Sequence, residues 1–94
     1  MKKADLTVTF NRKNKISDEI IDLVKTGSCL GFRQQSNLLE VARYIAVKLD
    51  EFEGGNWLCL ILPGEIEPGL SYSMYKALQI CFMKESIEYV ILVV

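Results

Sequence analysis

The sequence predicts an α+β domain in which two adjacent helices pack on an antiparallel β-sheet, in the order β-α-α-β-β-β-β. Three observations predict this class. An alternating apolar segment near the start is typical of a strand with one buried face. Two capped segments with helical apolar spacing follow it directly. The remaining chain contains only strand-like runs separated by turn residues, which favours an antiparallel sheet beside the helix pair.

The length and composition fit one folded domain over residues 1–94. Hydrophobic residues make up 50% of the chain and charged residues 24%, as in globular proteins rather than disordered segments. The formal net charge is -1, whereas domains that bind phosphate backbones are usually far more basic, so no nucleic-acid partner is expected. The mean hydropathy of +0.18 is high for so small a chain and indicates apolar surface that is buried in an oligomer.

The residue types exclude several classes of site. The chain has no histidine, which excludes Ser-His-Asp and Cys-His nucleophiles and any histidine-ligated metal. Cys29, Cys59 and Cys81 are far apart and form no CxxC pair. We therefore expect no enzyme, no catalytic residue, no metal and no cofactor. Three cysteines without a secretory signal or an apolar span of about 20 residues indicate a reduced, cytoplasmic protein with no membrane span.

The first strand and the first helix are predicted by local patterns. Residues 6–10 alternate between apolar residues and threonine, and the polar residues 11–15 form a loop. Ser17 is a typical helix N-cap, and two acids follow it at the positive end of the helix dipole. Gly27 and Gly31 each cost a helix interior roughly 0.8–1 kcal/mol relative to alanine. This helix is therefore expected to be short, bent or held by packing.

The second helix is predicted to begin near Ser36 and Asn37, because Glu40 follows Asn37 at the spacing of a capping box. Residues 53–56 are predicted to end it, since a glycine there readily adopts the left-handed conformation after a helix. Between them, apolar residues at steps of three or four predict a single buried stripe. The stripe consists of Leu38, Val41, Ala42, Ile45, Leu49 and Phe52.

The chain after the second helix is predicted to consist of strands and turns. Residues 57–62 are apolar without alternation, which indicates a central strand covered on both faces. Residues 63–69 are rich in proline and glycine and form a turn. Alternation returns over residues 70–83, residues 84–86 form a polar turn, and residues 87–94 form the last strand.

Over about four fifths of its length, the chain resembles the dynein light chains of the LC-eight type. The similarity is strongest over residues 16–20, residues 40–50 and residues 56–59, where a helix runs into a glycine turn and then Asn-Trp-Leu-Cys. Weaker similarity continues through Tyr72 and Lys76 to the last strand. The joint order and spacing, rather than any single motif, carry the resemblance.

The resemblance implies a non-catalytic homodimer that binds peptides. In that family, the strand after the Trp-bearing strand crosses into the partner's sheet, and extended peptides add as a further strand in two identical grooves. The implied partners are a second copy of this chain and short linear segments of disordered proteins, with the dynein intermediate chain as one candidate. The implied location is the cytoplasm, associated with the microtubule cytoskeleton and a motor complex.

The resemblance also implies which residues form the site. The crossing strand is expected at residues 69–73, with the start of the second helix and alternate residues of the next strand completing the groove. The implied peptide-binding residues are Leu38, Leu39, Gly69, Leu70, Ser71, Tyr72, Ser73, Leu78, Ile80 and Phe82. The implied dimer-interface residues are Arg43, Val47, Trp57, Leu58, Leu70 and Tyr72.

The chain departs from the family at functional positions. Leu38 and Leu39 stand where an acidic residue and a lysine usually help to read a glutamine of the peptide. Leu58 replaces the usual histidine, so we expect no histidine-driven dissociation of the dimer in acid. A longer loop with Glu65 and Glu67 replaces a glycine-rich segment. These departures predict a divergent member with a changed peptide preference.

Alternatives remain open at this point. A structural subunit dedicated to one fixed partner would also explain the leucine replacements. A small thiol-dependent enzyme is the other alternative, and the lack of histidine and of CxxC disfavours it. Trp57 fits an interface anchor or the edge of the core equally well, and Arg43 also fits a solvated helix face.

Overall fold

In a computed structural model, two helices cover one face of a four-stranded antiparallel sheet. The structure describes residues 1–35, 37–55, 57–64 and 77–94. Short 3-10 helices at Lys3–Asp5 and Arg12–Asn14 flank the first strand, the second of them within the predicted polar loop. The main elements are β1 (Thr7–Asn11), α1 (Asp18–Gln34), α2 (Leu38–Glu53), β2 (Cys59–Pro63), β3 (Leu78–Lys84) and β4 (Ile87–Val93).

The strand order in the sheet is β1-β3-β4-β2, and every neighbouring pair is antiparallel. Strands β3 and β4 form a hairpin whose two turn residues, Glu85 and Ser86, have φ values of 54° and 66°. Positive φ at both positions is what a two-residue hairpin turn requires. The predicted α+β class is confirmed. The strand predicted at residues 69–73 lies outside the described residues.

Helix α1 begins where the sequence predicts and runs through its glycines. The Ser17 hydroxyl accepts a hydrogen bond of 3.3 Å from the backbone N–H of Ile20. The helix then continues unbroken through Gly27 and Gly31 to Gln34. A Cβ atom at Gly31 would lie 3.0 Å from Cγ1 of Val41, so the glycine allows α2 to approach closely. Of the three expectations for this helix, the structure agrees with the third, a helix held by packing, because α1 packs against α2 over its glycines.

Helix α2 has the predicted ends. The Asn37 side-chain oxygen accepts a hydrogen bond of 2.9 Å from the backbone N–H of Glu40. Gly54 has a φ of 77°, and its N–H donates to the carbonyl of Asp50 at 2.9 Å. The stripe is buried as far as Leu49, but Phe52 is 53% exposed. The prediction for Phe52 is wrong, because its side chain lies in an open depression of the surface beside the start of α1 and not in the core.

The core lies between the helices and the inner face of the sheet, the face that the helices cover. Alternate residues of the two middle strands point into this core, and the buried stripes of both helices meet them. Its most deeply buried aliphatic side chains are Ile20, Val24, Val41, Ile45, Leu49, Leu78, Ile80, Ile91 and Val93. Burying one such side chain contributes about 1.5–3 kcal/mol, so this layer supplies most of the driving force for folding.

Strand β2 differs from its prediction. It pairs with β4 on one side, and no strand of the described residues pairs with its other side. Cys59 and Ile61 face the helices and are buried, whereas Leu60 and Leu62 are exposed on the opposite face. The prediction of a central strand covered on both faces is therefore wrong. A run of uniformly apolar residues does not reveal which of its faces is covered.

Candidate protein-interaction site

A row of exposed leucines lies on the outer face of the sheet, the face away from the helices. Leu58, Leu60 and Leu62 alternate along the chain and are 51%, 38% and 40% exposed. Leu58 extends the sheet, because its backbone N–H and carbonyl bond to Val94 at 2.9 and 3.0 Å. We call these three residues the leucine row. Exposed aliphatic side chains in contiguous rows are typical of interaction surfaces.

The leucine row lies on an edge strand. Among the described residues, the second side of β2 carries backbone N–H and carbonyl groups that no strand pairs. Such an edge accepts an additional strand, and proteins usually cover or blunt it. Within residues 1–35, 37–55, 57–64 and 77–94, strand β2 therefore combines an apolar face with an unpaired hydrogen-bonding edge. This combination suits association with another polypeptide strand.

Trp57 lies at the junction between α2 and β2. Its indole N–H donates to the carbonyl of Gly54 at 3.1 Å, and its backbone N–H donates to the Asp50 carboxylate at 3.3 Å. The side chain is half-buried and packs against the core. These contacts show that Trp57 has a structural role at the core edge. Its role in a dimer interface stays a prediction.

The other predicted interface residues of α2 lie on its solvent-facing side. Val47 is 46% exposed. Arg43 forms an ion pair of 3.3 Å with Glu40, one helical turn earlier, and both side chains are largely exposed. Such a surface pair contributes little to stability. Val47 and Arg43 are therefore accessible to a partner, as the prediction requires.

The predicted groove residues fall into two groups. Leu38 and Leu39 lie in the first turn of α2, where Leu38 is half-buried and Leu39 is 65% exposed. By contrast, three predicted groove residues face the helices and are at most 2% exposed: Leu78, Ile80 and Phe82. Phe82 contacts the rings of Phe32 and Tyr89, at centroid distances of 5.2 and 5.4 Å. These three side chains can support a groove only from within the core.

The remaining predicted site residues lie outside the described residues. They are Gly69, Leu70, Ser71, Tyr72 and Ser73, together with Glu65 and Glu67 of the predicted acidic loop. The described candidate residues therefore lie in the first turn of α2, on the solvent side of α2 and at the exposed edge of the sheet.

The cysteines offer little support for thiol chemistry. Cys59 is buried beside the helices, and desolvation raises the pKa of its thiol from 9.0 to about 12. A thiol with this pKa remains protonated at neutral pH and is a poor nucleophile. Within the described ranges, no group of three histidine, cysteine, aspartate or glutamate side chains is placed to hold a metal ion. No helix among these residues is both long and apolar enough to cross a membrane.

Sequence reasoning did not single out Leu60 and Leu62. Both belong to an apolar run that was assigned to a fully covered strand. Pro63 at the end of this run is the signal that could have identified them. Proline within a sheet is confined largely to edge strands, because it cannot donate to a neighbouring strand.

Comparison with solved structures identifies the fold. The chain is similar to the dynein light chain-like domain of the Fasciola hepatica calcium-binding protein FhCaBP2, with a TM-score of 0.60 and 17% sequence identity. The match covers 94% of this chain and 90% of that chain. No family model and no curated protein matches the sequence. The protein therefore has a divergent dynein light chain-like fold.

Proposed function

We propose that this protein is a non-catalytic, homodimeric adaptor that binds short extended segments of partner proteins. The single observation that carries the proposal is the leucine row on the open edge strand β2. A dynein light chain-like fold supports it, because this fold is typical of small binding adaptors. The proposed partners include the dynein intermediate chain, and the proposed location is the cytoplasm at the microtubule cytoskeleton.

In the proposed dimer, each copy covers the leucine row of the other. Full burial of a leucine contributes about 1.5–3 kcal/mol, so each half-exposed leucine gains on the order of 1 kcal/mol when it is covered. A two-fold interface uses the same row from both copies, which doubles this gain. Residues 69–73 of each copy would then pair with the open side of β2 in the other. Arg43, Val47 and Trp57 complete the proposed interface.

In the proposed groove, a partner peptide adds as a further strand along the exchanged residues 69–73. Backbone hydrogen bonds supply affinity in this mode of binding, and side-chain pockets supply selectivity. Leu38 and Leu39 close one end, where aliphatic side chains favour an apolar peptide residue over a charged one. Two grooves per dimer hold two partner chains together, so the second contact gains from a high effective concentration.

The dimer is tested by sedimentation equilibrium on the wild-type chain and on Leu60→Glu. We expect a micromolar dimer for the wild type and a monomer for the variant, because a carboxylate on the leucine row would be desolvated at the interface. Thr7→Glu is the matched control, since Thr7 is exposed on the same face at the opposite edge of the sheet. A wild-type monomer at these concentrations would contradict the proposal.

Peptide binding is tested by NMR titration with a peptide that contains the Thr-Gln-Thr core typical of ligands of the family. We expect amide shifts at Leu38, Leu39 and residues 69–73 of a dimer. A dimer without shifts would instead favour a second function, a structural subunit with a modified groove dedicated to one fixed partner. The leucines at 38 and 39 are the observation that favours this alternative.

A further inference from the structure

A second concave surface lies between the start of α1 and the end of α2. It is a shallow, open depression with a volume of about 500 Å³. Its lining residues are Asp18, Glu19, Asp22, Leu23, Thr26 and Phe52. We call it the Phe52 cleft. The proposed peptide groove and dimer interface use none of these residues.

The apolar part of the Phe52 cleft is an uncovered continuation of the core. Leu49, one turn earlier on the same stripe of α2, is 0% exposed, whereas Phe52 is 53% exposed. Leu23 lies beside it and is half-buried. A large aromatic ring that is half open in a concave site offers apolar area at a low cost in side-chain entropy. Such rings are typical anchors of protein interfaces.

The rim of the Phe52 cleft is acidic. Asp18 and Glu19 lie in the first turn of α1, and neither has an ion-pair partner among the residues described. Asp22 already binds an ammonium group, because Lys3 Nζ lies 2.9 Å from its carboxylate. Among the residues that the structure describes, no lysine or arginine lines the cleft itself. A ligand that covers Phe52 therefore meets two unpaired carboxylates at its edge.

We propose that the Phe52 cleft binds a basic amphipathic segment of a partner protein. An apolar side chain of the segment packs on Phe52 and Leu23, while lysine or arginine residues beside it approach Asp18 and Glu19. Charge complementarity selects this occupant. The same carboxylates repel acidic peptides, nucleic-acid phosphates and anionic membrane surfaces. The Phe52 cleft shares no lining residue with the leucine row, so one adaptor could engage two kinds of partner.

The test uses the full chain and a fluorescently labelled lysine–leucine peptide with leucines at helical spacing. A second peptide, with every lysine replaced by glutamate, is the ligand control. Fluorescence anisotropy gives the Kd, and NMR amide shifts locate the site. We expect shifts at residues 18–26 and 50–53 with the lysine peptide, and no binding of the glutamate peptide. Binding should weaken as salt rises from about 0.1 to about 1 M, since the Debye screening length falls from about 10 to about 3 Å.

Variants separate the cleft from general attraction to an acidic protein. Phe52→Ser should weaken binding about tenfold, as expected for loss of an interface anchor. The double variant Asp18→Asn with Glu19→Gln should weaken it severalfold and reduce the salt dependence. Met83→Ser and Glu85→Gln are the matched controls, since both residues are exposed elsewhere on the surface, and both should bind as the wild type does. Circular dichroism confirms that each variant is folded.

Three results would overturn the proposal: unchanged affinity in Phe52→Ser, equal binding of the glutamate peptide, or shifts confined to other residues. The same variants and the lysine peptide distinguish the cleft from the proposed dimer. Leu60→Glu should bind the lysine peptide with wild-type affinity, and Phe52→Ser should sediment like the wild type. If the dimer proposal fails, the proposal for the Phe52 cleft can therefore still hold. If the cleft proposal fails, the dimer proposal can still hold.

Discussion

Along strand β2, the two faces of the sheet carry similar side chains but differ in exposure, whereas the neighbouring outer-face residues Leu92 and Gln79 are only 7% and 2% exposed. On the inner face, Ile80, Ile91 and Ile61 lie side by side across three strands and are at most 7% exposed. One position along β2, Leu60 points to the outer face and is 38% exposed. The outer face also changes character across the sheet, because at the opposite edge β1 presents Thr7 to solvent.

The difference in exposure separates the side chains whose burial drives folding from those whose burial would drive association with another chain. Isoleucines of the inner face gain their full transfer free energy when a single copy folds, because α1 and α2 lie over them. The leucine row gains only part of it, and the remainder becomes available when another chain covers the edge. The threonine edge has little apolar area to gain. The apolar half of the outer face is therefore where a partner is expected.

The largest expected effect is the loss of a covered side chain. Ile80→Ala should lower the free energy of unfolding by about 2–5 kcal/mol, because the Ile80 side chain is fully buried and its truncation leaves a cavity in the core. Urea unfolding of dilute protein measures this change. Leu60→Ala, an outer-face truncation of similar size, should cost less than about 1 kcal/mol under the same conditions. Equal losses in the free energy of unfolding at the two sites would contradict the difference between Ile80 and Leu60.

The buried thiol of the inner face predicts a pH dependence of stability. Burial raises the pKa of Cys59 from 9.0 to about 12 in the folded chain. The unfolded chain therefore releases this proton first, so the stability is fully present below pH 9 and declines between pH 9 and 12. The slope is at most about 1.4 kcal/mol per pH unit. Urea unfolding from pH 7 to about 11 measures it.

Two cysteine variants test whether Cys59 causes this decline. Cys59→Ala removes the inner-face thiol and should flatten the decline above pH 9. Cys81→Ala makes the same truncation at a half-buried position of the outer face and is the matched control. A slope that is the same in both variants would show that Cys59 does not cause it.

The smallest expected effect concerns how closely the helices that cover the inner face approach each other. Gly27→Ala should stabilise the chain by about 0.5–1 kcal/mol, because alanine favours the helix and its Cβ would meet Ile45 at an ordinary 3.6 Å. Gly31→Ala should gain less or destabilise, since its Cβ would lie 3.0 Å from Cγ1 of Val41. Thermal unfolding compares the two variants. An equal gain at both positions would mean that the close approach imposes no constraint.

Most of the fold could be predicted because its signals are local. Ser17, Asn37 and Gly54 mark helix ends through contacts within one turn of their own chain. Such contacts need no knowledge of the rest of the molecule. Much less of the candidate site could be predicted. The exposure of Leu60 and Phe52 depends on elements distant in sequence, and apolar periodicity gave no sign of either.

By itself, the sequence determined the fold class, the starts of both helices, the end of α2 and the exclusion of histidine chemistry. Tertiary structure alone decided that β2 is an edge strand among the described residues, that its leucines lie uncovered, and that packing carries α1 through its glycines. The physical reason is that capping, turn geometry and periodicity arise between neighbours in the chain, whereas exposure is decided by segments brought together from far along it.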